Sequence, residues 1–68
     1  ELHFTKVQEW LSQAMNEEPD SLVLTLLEAE FYTLKKDYPK AERSYESALK
    51  IDPKNVVALN NLAWLAFD

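Results

Sequence analysis

The 68-residue chain contains neither glycine nor cysteine. Two-residue hairpin turns need positive φ at central positions, so the lack of glycine argues against a hairpin-rich β fold. The lack of cysteine removes any disulfide framework or thiolate metal site and leaves the redox compartment open. Basic residues are scarce, seven Lys and Arg against twelve Asp and Glu, for a net charge of −5. A surface that tracks a phosphate backbone needs the opposite sign, so no nucleic-acid partner is expected. Long apolar runs are missing as well. The most apolar stretch, VVALNNLAWLAF at 56–67, includes two asparagines and falls short of the roughly 20 residues a membrane-spanning helix requires. No signal-peptide pattern opens the chain.

A single pattern dominates what is present. Pro19 and Pro53 stand 34 residues apart. At that offset Ala14 falls on Ala48, Leu11 on Tyr45, Val7 on Ala41 and Phe4 on Tyr38. Both segments therefore share the order small, three residues, large, two residues, Ala, four residues, Pro. A fixed period of this length is the mark of a repeat architecture, in which one supersecondary unit stacks on the next.

Each copy reads as a helix. Val7, Leu11, Ala14 and Met15 form an i, i+4, i+7, i+8 stripe, and Ala41, Tyr45, Ala48 and Leu49 repeat it. Pro39 suits a first helical turn, where its missing N–H costs nothing. Pro19 and Pro53 lie just past the helix ends. Residues 21–35 are too long and too regularly apolar for a strand, with Asp20 or Ser21 available as N-cap. Leu24, Leu27, Phe31 and Leu34 mark one face of this segment and Leu22, Ala29 and Tyr32 another, so it should lie between neighbours. Residues 55–67 make a fourth helix, with Asn55 as its N-cap. The spacing thus predicts helices over about 4–17, 21–35, 39–51 and 55–67, joined by connections short enough to force antiparallel hairpins.

In these features the chain resembles the tetratricopeptide repeat, a helix–turn–helix unit of 34 residues. The second-helix signature Ala-x3-aromatic-x2-Ala-x4-Pro is complete at Ala41, Tyr45, Ala48 and Pro53 and weaker at Val7, Leu11, Ala14 and Pro19. The first-helix signature Trp-x2-Leu-Gly-x2-Tyr maps onto Leu59, Leu62, Ala63 and Ala66, and onto Thr25, Glu28, Ala29 and Tyr32. Glu28 departs from it where a leucine usually stands. Lys36 occupies a turn position often held by glycine, which predicts backbone strain or a longer helix there. The resemblance implies an all-α fold of antiparallel helical hairpins stacked as a right-handed α-solenoid. Residues 1–19 would be the second helix of a partial repeat, 20–53 a complete repeat and 54–68 the first helix of a further one.

It also implies a function. Members of the family hold peptide segments of other proteins on a concave surface lined by first helices. Carried over at the 34-residue offset, that surface takes in Val23, Leu26, Leu27, Glu30, Val57, Asn60, Asn61 and Trp64, with Thr33 and Phe67 beside them. Asn60 and Asn61 stand out, since amides within an apolar run can bond both the N–H and the C=O of an extended peptide. The lysines and arginines by which some members grip a terminal carboxylate have no counterpart here. The alternative is a structural spacer or oligomerisation element of a longer array. The last helix presents Leu62, Trp64, Leu65 and Phe67 with little polar cover. A solenoid end of this kind is expected either to continue into further repeats or to hide by self-association.

No catalytic, metal or cofactor site is expected. His3 has no orienting partner for general-base work. Ser12, Ser21, Ser44 and Ser47 lack a nucleophile turn. Glu28 and Glu30, two apart on a helix, point to different faces, and Glu17, Glu18 and Asp20 lack the ligand order of a calcium loop.

Overall fold

The computed structural model describes residues 4–66, which form four α-helices. They are α1 (Phe4–Glu17), α2 (Leu22–Leu34), α3 (Tyr38–Ile51) and α4 (Val56–Ala66). The 34-residue period holds in the backbone. Helix α3 begins 34 residues after α1, at Tyr38 against Phe4, and α4 begins 34 after α2, at Val56 against Leu22. His3 and Phe67 lie outside the described residues.

Local chemistry sets the helix ends. Of the two caps weighed for α2, Ser21 is the one used. Its Oγ accepts the Leu24 N–H at 3.2 Å, while its carbonyl accepts the Thr25 hydroxyl at 2.8 Å. The second bond satisfies Thr25, a buried polar residue. Asn55 caps α4, its Oδ1 accepting the Ala58 N–H at 2.9 Å and its Nδ2 donating to Asp52 at 3.3 Å. Pro39 stands in the first turn of α3, where the missing N–H is harmless.

The turn after α2 accounts for the odd residue there. Lys36 has φ of 63°, in the left-handed region. Its N–H donates to the Thr33 carbonyl at 3.0 Å, and that of Asp37 reaches back to Tyr32 at 2.9 Å. The pair forms a Schellman motif, the common end of a helix that turns back into a hairpin. With no glycine available, a β-carbon is held where it crowds the backbone. Strain, rather than a longer helix, is the outcome.

Helix α2 packs most extensively on α3, then α3 on α4, and α1 on α2 least. The core is built around Ala29, Tyr45, Ala48 and Ala58, with Leu22, Leu26, Leu49, Leu62 and Leu65 packed against it. The three alanines, one from each of α2, α3 and α4, bring the helix axes close. Tyr45 fills the space between them. The Cα envelope measures 29 × 27 × 15 Å. Its thinnest dimension fits two helical layers at the usual separation of about 8–10 Å.

Candidate functional site

Helices α2 and α4 occupy corresponding positions in the two halves of the chain, and an open depression lies along them. It is lined by Thr33 from α2 and by Asn60, Asn61, Ala63 and Trp64 from α4. Asn60 is exposed, with its amide free for a ligand's backbone groups. Asn61 is half-buried, and its Nδ2 donates to the Val57 carbonyl one turn back at 2.7 Å. That bond fixes the side chain and leaves Oδ1 as its outward acceptor. The Trp64 ring is more than half exposed. It is steadied edge-on by Tyr38 from the start of α3, with centroids 6.2 Å apart. The arrangement offers amide groups, an indole face and a small alanine floor, with no charged side chain in its lining.

A second cleft, of about 190 Å³, separates α1 from α2. Val7, Trp10 and Leu11 form one wall, and Leu27, Glu30, Phe31 and Leu34 the other. On the opposite side of α2, Glu28 accepts the Ser44 hydroxyl at 3.2 Å. This explains the acid found where a leucine is usual: it closes a polar contact between α2 and α3. Tyr45 is the group whose titration the fold clearly perturbs. Burial pushes its hydroxyl above the ordinary value near 10, a Thr33 side-chain hydrogen bond partly offsets this, and the Glu30 carboxylate raises it further. Among the described residues no group of three His, Asp or Glu could hold a metal ion. No helix among them is long and apolar enough to cross a membrane.

The eight residues assigned to the groove from sequence are thus divided. Asn60, Asn61 and Trp64 share the α2–α4 depression, whereas Leu27 and Glu30 line the α1–α2 cleft. Val23 and Val57 are exposed but line neither. Leu26 packs against the core cluster and is turned inward. The terminal surface needs a similar adjustment. Leu62 and Leu65 also pack against the core, so the open face of α4 consists of Val56, Leu59, Ala63 and Ala66, with Trp64 to one side. Ala63 and Trp10 were missed as lining residues. The 34-residue offset held the signal for Trp10, which stands where Ser44 packs in the other half.

Antiparallel helical hairpins recurring at a fixed period are the architecture of an α-helical repeat. A family model described as the tetratricopeptide repeat matches residues 44–67, the stretch from mid-α3 through α4. The matched stretch is about a third of the chain and is similar to the tetratricopeptide repeat, and the recurrence of the helices is consistent with that likeness. Such repeats generally mediate protein–protein interaction and are generally non-enzymatic. No curated protein and no solved structure matches the chain.

Proposed function

We propose that the chain is a non-enzymatic protein-interaction module that takes an extended peptide segment into the α2–α4 depression. The observation that carries this reading is the joint exposure of the Asn60 amide and the Trp64 indole in a depression without charges. An extended peptide has an N–H and a C=O to satisfy at every residue, and an amide side chain can meet both. The indole and the Ala63 methyl supply apolar cover for a side chain of the ligand. The absence of charge in the lining favours a segment without a required phosphate or terminal carboxylate.

The test is the double substitution Asn60→Ala and Asn61→Ala, with partner capture from lysate and melting read side by side. The Asn61 bond to Val57 is solvent-exposed, so its loss should cost no more than about 1 kcal/mol of stability. Capture should weaken at least tenfold while the helical signal persists. Undiminished capture by the double variant would leave the spacer reading in place.

A further inference from the structure

Helices α2 and α3, which pack on each other more extensively than any other pair, leave a polar recess of about 310 Å³ between them. It shares no residue with the α2–α4 depression. We propose that it receives the carboxylate of an aspartate or glutamate side chain from an acidic segment of a partner protein, with Arg43 as the principal contact.

The lining comes from two facing stripes. Lys40, Arg43, Ser44 and Ser47 follow i, i+3, i+4, i+7 along α3, and Glu28 and Tyr32 stand four apart on α2. Several of these groups are already engaged. Ser44 is buried and donates to Glu28 Oε1 at 3.2 Å. Lys40 Nζ lies 3.7 Å from Asp37 and 5.6 Å from the centre of the Tyr32 ring, which hold it at the wall. Arg43 differs. Its exposed guanidinium makes no hydrogen bond or ion pair among the described residues, although Glu28 lines the same recess. The exposed Ser47 hydroxyl is unpaired in the same way. A planar fork of N–H donors, flanked by a hydroxyl and a steadied ammonium, matches the two oxygens of a carboxylate.

Charge decides which anion fits. Lys40 and Arg43 against Glu28 leave the lining with a single net positive charge. One carboxylate neutralises it, whereas a phosphoserine, at roughly −1.5 to −2 near pH 7, would overshoot and lie beside Glu28. The acids of α3 stay clear of the recess. At 3.6 residues per turn, Glu42 and Glu46 lie about 200° and 240° round the helix from Lys40. The wider charge distribution agrees. Six of the seven basic residues fall within 35–54 against four acids, whereas residues 1–34 hold seven acids and one lysine. An acidic segment is therefore drawn to this stretch of a chain whose total charge is −5.

Asn60, Asn61 and Trp64 take no part in this contact, so it stands or falls apart from peptide capture in the depression. Titration of the 68-residue chain with a hexaglutamate peptide, followed by NMR of the backbone amides and the Arg43 side chain, tests it. Saturable shifts should centre on Tyr32, Lys40, Arg43 and Ser47, and affinity should fall several-fold between 50 mM and 500 mM salt. Hexaglutamine should give no such shifts. Arg43→Gln, at an exposed position, should weaken binding about fivefold. Glu28→Gln keeps a carbonyl oxygen for Ser44 but removes the charge, so it should tighten binding. Circular dichroism checks that both variants stay helical; Ser47→Ala, which should also weaken binding, replaces Arg43→Gln if that one does not. A hexaglutamate with one residue exchanged for phosphoserine should bind the wild type no more tightly, despite its greater charge, and should gain more from Glu28→Gln. Absence of saturable shifts overturns the proposal, as do shifts spread over Lys6, Lys50 and Lys54 that survive Arg43→Gln. Tighter binding of the phosphoserine peptide to the wild type would overturn the carboxylate assignment.

Discussion

Replacing Lys36 by glycine should stabilise the protein, and the structure says by how much. Lys36 holds φ of 63° to close the Schellman turn between α2 and α3. A residue with a β-carbon in that region carries about 1–2 kcal/mol of strain, from which glycine is free. Against this, glycine has more freedom to lose on folding, which costs roughly 0.5–1 kcal/mol. The difference favours Lys36→Gly by about 0.5–1 kcal/mol. Both hydrogen bonds of the turn come from backbone N–H groups, so the substitution leaves them in place. Lys36 is exposed, and no packing is lost with its side chain. For a domain of this size about 1 kcal/mol moves the melting temperature by roughly 4–8 °C, so a rise of about 2–8 °C is expected. Thermal melts by circular dichroism at one fixed protein concentration would measure it, the concentration being held because association shifts the midpoint. Lys36→Ala is the control: it removes the side chain but keeps the β-carbon, and should change little. If glycine left the midpoint unmoved, or alanine raised it equally, strain in this turn would not be the cause.

Two further outcomes follow from the core. Ala29→Leu should destabilise by about 1–3 kcal/mol, since Ala29 is fully buried where α2 meets α3 and added methylenes have no room; chemical denaturation would reveal a milder effect if the helices can part. Tyr45 sets a pH dependence. Its folded pKa lies above the unfolded value near 10, so the folded state holds its proton more tightly. Its contribution is complete below that value, and stability should decline as pH rises through and above about 10. Melts between pH 8 and 11.5 should show the decline, and Tyr45→Phe should flatten it; an equal decline in both proteins would assign it to other groups.

The sequence alone determined the number, kind and order of the elements. The 3.6-residue stripe of Ala41, Tyr45, Ala48 and Leu49, with its weaker copy from Val7 to Met15, gave two helices, and the prolines marked their ends. These signals are local: a capping hydroxyl or a proline acts within one turn of the chain. The period of 34 then set the stacking, because equal units separated by short connections can bury their apolar stripes only against each other. Which cap α2 uses was left open between Asp20 and Ser21, and hydrogen-bond geometry chose the serine.

The site was only partly legible, for a reason that is equally physical. Whether an apolar side chain on α2 or α4 faces the groove or the core depends on the rotation of each helix about its axis. That rotation is fixed by contacts among residues distant in sequence, here Ala29, Tyr45, Ala48 and Ala58. Both helices are apolar over much of their circumference, so periodicity could not reveal that Leu26, Leu62 and Leu65 turn inward while Asn60 and Trp64 remain in the open. Glu28 makes the same point from the polar side. As a residue it departs from the repeat signature, and only its bond to Ser44, sixteen positions away, gives it a partner.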